Sequence, residues 1–195
     1  MNRTIVQAGE EVLRVAARPL DREEVLAPEI QKLIEDMRDT MRNAPGVGLA
    51  APQVGVSVQL AVVEDRAEYH SKLTQEQLAE RQRRPVPFHV LINPRIVSAD
   101  GGALEYFEGC LSVTGYTAVV PRDRRITVEC LNEHAEPARL EAEGWYARIL
   151  QHEIDHLRGC LYIDRMHRQT FCSVDNFERL WKGLPVEVAR RKLVL

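Results

Sequence analysis

The sequence predicts an α+β fold: two stretches with helical spacing bracket a series of short β-branched runs, and Pro and Gly separate those runs as turns would. Its 195 residues, 45% hydrophobic and 28% charged, suit a single globular domain over 1–195. A chain of this length buries roughly 70% of its unfolded surface. It needs neither a disulfide nor a structural metal to hold a core, so any metal it binds is expected to be functional.

Residues 28–42 put Ile30, Leu33, Ile34, Met37 and Met41 on one face of a helix, with Pro28 suited to the first turn and Gly46 beyond its end. The segment GVGLAAPQVG then leads into VQLAVV (58–63), short and valine-rich, which reads as a strand. From 66 to 87 the chain turns polar and charged, the pattern of a surface insertion. Further strands are expected at 90–97, 103–107, 116–120 and 126–131. A second helix begins near Trp145 and carries WYARILQHEIDHL, and the tail, 173–195, reads as helical. No internal repeat or linker interrupts this order.

With 26 basic and 29 acidic residues the net charge is −3, which argues against a protein built to hold DNA or other nucleic acid. The first twenty residues contain no apolar run resembling a signal-peptide core, and no stretch approaches the roughly 18 apolar residues of a membrane span. A soluble protein without membrane attachment is expected. The start also lacks a transit segment, which favours the bacterial cytoplasm, although a mature organellar enzyme would look the same. Cys110, Cys130, Cys160 and Cys172 are too few for a disulfide scaffold and read as thiols or metal ligands.

The chemistry concentrates in HEIDH. His152 and His156 lie one helical turn apart, so both imidazoles can reach one metal ion while Glu153 projects beside it. That is a hydrolytic arrangement, because a divalent ion acidifies its water and a neighbouring carboxylate can take the proton and return it to a leaving group. A catalytic site needs a third protein ligand. The longer pattern HExxHxxGxxH is matched through Gly159 but has Tyr162 where the last histidine belongs, and Glu178 lacks the surroundings of a downstream ligand. Cys110 in EGCLSV is the better third ligand, since a thiolate binds divalent metals strongly. Alone, it would read as a small buried hydrophobe, the reading kept for the other three cysteines. The small residues of GVGLAAPQ (46–53) allow close backbone approach, and Gln53 offers an amide donor to a developing oxyanion.

Together, GVGLAAPQ, EGCLSV and QHEIDHLRG, in that order and at these separations, resemble the three signature motifs of the peptide deformylases. The similarity runs from QAGEEVLRVAA through INPRIV to EGWYARILQHEIDHLRGCLYIDRM and the segment around Thr170-Phe171. GWYARILQHE and SVTGY look more like the deformylases of plants and animal mitochondria than the commonest bacterial pattern, which has proline where Thr114 stands. The resemblance implies hydrolysis of the formyl group from N-formylmethionyl nascent peptides, with release of formate. It implies one divalent metal on Cys110, His152 and His156, Fe(II) in many members and Zn(II) in some. Glu153 would act as general base and then acid, with Gln53 and the backbone N–H of Leu111 stabilising the oxyanion. Gly48 and the strand near Gly109 would hold the peptide by main-chain hydrogen bonds. By motif position, Val47, Tyr106, Trp145, Arg148 and Ile149 would wall the methionine pocket, though Trp145 reads equally well as core packing.

The fold expected is thus an α+β metallohydrolase in which antiparallel or mixed strands wrap a central helix bearing HEIDH. Two other readings stay open: a zinc endopeptidase, which needs a His or Glu third ligand, and a silent relative that only binds peptide. The basic run Arg190, Arg191 and Lys192 could meet ribosomal RNA near the exit tunnel, or be a solvated helix face.

Overall fold

The computed structural model describes residues 2–193, so Met1 and the last two residues of the expected tail, Val194 and Leu195, lie outside it. Helix α1 (Arg22–Leu26) opens with a capping box in which Asp21 and Glu24 satisfy each other's backbone N–H. Helix α2 (Pro28–Asn43) is the amphipathic segment expected, with proline in its first turn. It buries Leu33, Ile34, Met37 and Met41 against Leu49, Leu60 and Ile92. Strand β1 (Gly48–Ala50) and a single 3-10 turn (Ala51–Val54) follow, then β2 (Leu60–Asp65) and the short helix α3 (Gln75–Glu80). Strands β3 (Val86–Gly109), β4 (Tyr116–Leu131) and β5 (Pro137–Glu143) lead into α4 (Gly144–Leu157). Strand β6 (Cys172–Ser173) and helices α5 (Val174–Leu180) and α6 (Val186–Leu193) complete the order.

The sheet is antiparallel throughout, in the order β1-β2-β3-β4-β5, with β6 pairing β4. An α+β class with an antiparallel sheet is therefore what the chain adopts. The strands differ in length from expectation. The stretches at 90–97 and 103–107 are one 24-residue strand, and those at 116–120 and 126–131 are one of 16 residues. The Gly101-Gly102 break in the longer strand is a bulge instead, where the β3–β4 register shifts between Asp100 and Ala103; a second shift, between Ile92 and Arg95, falls inside the expected strand at Asn93, whose φ is +50°. Pro121 stays in register opposite Glu105. Strand β5 was not expected at all, because its sequence PARLEAE is mostly charged or small; Arg139 pairs with Glu129 on the neighbouring strand.

Helix α4 carries the HEIDH segment and is buried over eleven of its 14 residues. Leu150, Ile154 and Leu157 pack on Ala61, Leu91 and Val128 of the sheet. Arg148, Gln151, Glu153, Asp155 and His156 are buried as well, so one helix carries both core and chemistry. Between β2 and β3 the chain is tied down by Arg83, whose guanidinium donates to Asp65 at 2.7 and 2.8 Å, and by the Trp145 backbone N–H donating to the Arg81 carbonyl at 2.9 Å. In the tail, Arg190 pairs with Glu105 of β3 at 2.7 Å.

Gly159 ends α4 at φ +72°, and a Cβ there would lie 2.7 Å from the Arg14 carbonyl oxygen. Gly159→Ala is expected to destabilise the fold by about 1–3 kcal/mol. Urea denaturation checks this as a lowered midpoint at unchanged slope.

Candidate metal centre

Cys110 follows directly on the end of β3, while His152 and His156 project one turn apart from α4. The Cys110 Sγ is 3.2 Å from His156 Nε2, which is itself 3.2 Å from His152 Nε2. Among the described residues these three form the one group of donors converging within 4.8 Å. Two imidazole nitrogens and a sulfur facing one another this closely compete for one position, and a cation satisfies all three at once. The His152 Nδ1–H donates to Glu108 Oε1 at 2.7 Å, because a carboxylate only accepts. That fixes the tautomer and leaves the Nε2 lone pair aimed at the other two donors. The residues thus fit a divalent metal. Cys130 is buried in the core, where its thiol is pushed up to about 11, and neither Tyr162 nor Glu178 joins the donor set. Tyr162 packs on Ala118 and Val120, and Glu178 pairs with Lys182.

Glu108 was not singled out in the sequence, although it stands two residues before Cys110, near the end of β3. Besides His152 it accepts from Arg122 Nη2 at 2.6 Å and from Arg148 Nη1 at 2.7 Å, and all three residues of this ion cluster are buried. Burial alone would raise its carboxyl, but His152 and Arg122 outweigh burial and hold it far below the usual carboxylate range. Arg122 bridges onward to Asp155, which also accepts from Arg165.

Gln53 is buried in the 3-10 turn after β1. Its Oε1 accepts from the Ala50 N–H at 2.9 Å, which turns Nε2 towards Ser112 Oγ at 3.2 Å and Cys110 Sγ at 3.5 Å. Residues 6–8 staple this turn to the turn that bears Cys110. The Val6 N–H donates to the Gln53 carbonyl at 2.9 Å, the Ala8 N–H to the Ser112 carbonyl at 2.8 Å, and Gln7 Nε2 to the Leu111 carbonyl at 2.9 Å. Glu153 is buried beside Gly48, where a Cβ would fall 2.1 Å from Oε1. Its Oε2 has no hydrogen-bond partner among the described residues, and burial pushes the carboxyl up to about 7.

A cavity of about 410 Å³ opens onto these groups. Val47, Gly48 and Gln53 line it from the β1 side, and Gly109, Cys110 and Leu111 from the end of β3. Helix α4 contributes Trp145, Arg148, Ile149, His152 and Glu153. Tyr106 stands behind this wall: its ring meets Trp145 edge-on at 6.2 Å and its hydroxyl donates to the Glu80 carbonyl. The same cavity reaches Tyr116 and Val174, which the sequence did not mark.

Residues 2–171 match the family model described as polypeptide deformylase. The chain belongs to this family. It is 44% identical over 174 residues to the chloroplastic peptide deformylase 1A of Solanum lycopersicum, covering 89% of this chain and 63% of that protein. The chain thus spans just under two thirds of that relative. The human mitochondrial peptide deformylase is 39% identical over 170 residues, covering 87% of this chain and 70% of its own length. Among solved structures, a class I type b peptide deformylase from Acinetobacter baumannii bound to Met-Ala-Ser superimposes with a TM-score of 0.75 at 29% identity, covering 85% of this chain and 99% of that one. Deformylase relatives thus include bacterial and organellar proteins, and among the described residues no helix is long and apolar enough to cross a membrane.

Because Glu108 orients His152, Glu108→Gln is expected to weaken metal affinity about 10- to 100-fold without removing a ligand. Competition with a chelator of known affinity measures it.

Proposed function

We propose that the chain is a metal-dependent deformylase that hydrolyses the formamide of N-formylmethionyl peptides to formate and a free amino terminus. The observation that carries this reading is the unpartnered carboxylate oxygen of Glu153 in one cavity with Cys110, His152 and the Gln53 amide. In this reading Cys110, His152 and His156 hold one divalent ion, Fe(II) first and Zn(II) as the alternative. When bound, such an ion supplies Lewis acidity to water and to a carbonyl oxygen.

The protein does the rest. Glu153 takes a proton from the attacking water at its free oxygen and delivers it to the amide nitrogen as the C–N bond breaks. Gln53 Nε2, turned by the Ala50 N–H, and the Leu111 backbone N–H stabilise the negative charge that develops on the formyl oxygen. Strand β1 pairs on one side with β2, so Gly48 and the strand end at Gly109 are suited to hold an extended peptide between them. Val47, Trp145 and Ile149 receive the methionine side chain, with Arg148 at the cavity wall and Tyr106 supporting Trp145. The Met-Ala-Ser peptide in the Acinetobacter relative has the chemistry of the product expected here. Bacterial cytosol or an organellar matrix suits the protein, since either keeps Cys110 reduced.

Formate release from a formyl-Met peptide by anaerobically prepared protein tests the assignment. Wild type should turn over, and Glu153→Ala should lose about 10²- to 10⁴-fold in kcat at unchanged metal content. Gly48→Ala, which displaces the carboxylate while leaving every metal donor in place, should lose activity too. No release by fully metallated wild type sinks the assignment and favours a silent peptide binder. The metal choice has its own check: with a thiolate ligand, the iron form should lose activity in air faster than the zinc form, and equal half-lives count against it.

A further inference from the structure

Of the five residues in HEIDH, the proposed reaction uses His152, Glu153 and His156, and Ile154 packs in the core, which leaves Asp155. Its side chain is buried and stands outside the group of metal donors. It lines a second cavity, of about 280 Å³, with Arg122, Gln151, Arg158 and Arg165. Two arginines meet on it. Arg122 Nη1 donates to Oδ2 at 2.5 Å, while Arg165 donates from Nε to Oδ2 at 2.5 Å and from Nη2 to Oδ1 at 2.7 Å. The Arg165 fork is thus bidentate, the geometry that orients a carboxylate best. Its base is fixed too, because Arg165 follows the 3-10 turn Tyr162–Asp164 and its N–H donates to the Tyr162 carbonyl at 3.0 Å.

From Asp155 the contacts run inward without a gap. Arg122, held by Asp155 at Nη1, gives its other two nitrogens to Glu108, Nε at 3.2 Å and Nη2 at 2.6 Å. Glu108 accepts the Nδ1 proton of His152, whose Nε2 faces the metal position. Arg165 to Asp155, Asp155 to Arg122, Arg122 to Glu108 and Glu108 to His152 make four contacts between a side chain that is 46% exposed and a metal donor. The charges alternate along this chain. Without Arg165, Asp155 would have Arg122 as its only cationic partner among the described residues, and the Arg122 guanidinium would be drawn off Glu108. With Arg165 in place, Asp155 is satisfied from outside and Arg122 faces Glu108.

We infer that Arg165 is a positioning residue for the metal centre, acting through Asp155, Arg122 and Glu108 on the orientation of His152. The inference rests on Cys110, His152 and His156 holding a metal, and not on which bond the centre breaks. Position and charge act on the ion in opposite directions. As a bare positive charge Arg165 repels a cation, so its removal would tighten binding. As a positioning group it keeps His152 aimed, so its removal loosens binding.

Zinc affinity of the full chain, measured by competition with a chelator, separates the two. Arg165→Gln should bind zinc roughly three- to ten-fold more weakly, a smaller loss than at Glu108, which touches His152 directly. Arg165→Lys, which keeps the charge but not the fork, should recover part of that loss. Arg158→Gln removes the same charge from an exposed position on the same cavity, without touching the Asp155 carboxylate, and should leave affinity unchanged or slightly raised. In a Glu108→Gln background Arg165→Gln should have no further effect, because the route to His152 is already broken. Melting temperature verifies folding, and Arg165→Met replaces Arg165→Gln should that variant not fold. Unchanged or tighter zinc binding in Arg165→Gln overturns the inference. So does an equal loss in the Glu108→Gln background, the result of a merely structural role. Wild type that binds no zinc sinks the metal centre and this relay together, whereas wild type that binds zinc but releases no formate sinks deformylation alone.

Discussion

The site depends on one buried carboxylate. Glu108 lies on β3, Arg122 on β4, and Arg148 and His152 on α4, so a single pair of oxygens joins the two longest strands to the helix that supplies two metal donors. Burying a carboxylate is costly, and partners must compensate for that cost. Here each partner also makes a second contact, since Arg122 reaches Asp155 on α4, Arg148 reaches the Leu104 carbonyl, and His152 faces the metal position. Buried ion clusters of this kind specify an arrangement more than they stabilise it. In this chain the cluster joins α4 to the strand that ends at Gly109, next to Cys110.

The same logic explains how one helix can be buried on nearly all sides. Its apolar residues meet the sheet, while its polar residues meet prearranged partners: Gln151 donates to the Asp123 carbonyl and accepts from the Asp123 N–H, and Asp155 takes two arginines. The exceptions are Trp145 Nε1, Glu153 Oε2 and His156 Nδ1, which have no hydrogen-bond partner among the described residues. Unsatisfied buried groups are rare and concentrate where chemistry is done.

Much of this was legible in the sequence because it is local. The period of α2, the i, i+4 spacing of His152 and His156, and the single cysteine in EGCLSV each lie within one element. The strand lengths were not legible, since Gly101-Gly102 signals a turn equally well as a bulge, and only the partner strand decides. Strand β5 alternates inward Ala138, Leu140 and Ala142 with outward residues that are mostly charged, but it carries no β-branched or aromatic residue to mark it as a strand. Glu108 stood in plain view in EGCLSV, but its importance comes from Arg122 and Arg148, 14 and 40 positions away. Separations of that size carry no sequence period. Tyr106 sits behind Trp145, a distinction between lining a pocket and supporting its lining that depends on side-chain packing alone.

The segment formed by Val6, Gln7 and Ala8 has a consequence for how the centre comes into being. It grips the turn bearing Gln53 and, 104 positions away, the turn bearing Leu111. The two turns also meet directly through Gln53 Nε2 and Ser112 Oγ, so their spacing is set by that side chain together with a strip of chain whose partners are made much later. Contacts closed over such distances form late in folding. Because Cys110 stands on the same turn as Leu111, disorder in this strip would loosen the Cys110 thiol and the Gln53 amide together, while His152 and His156 stay held on α4.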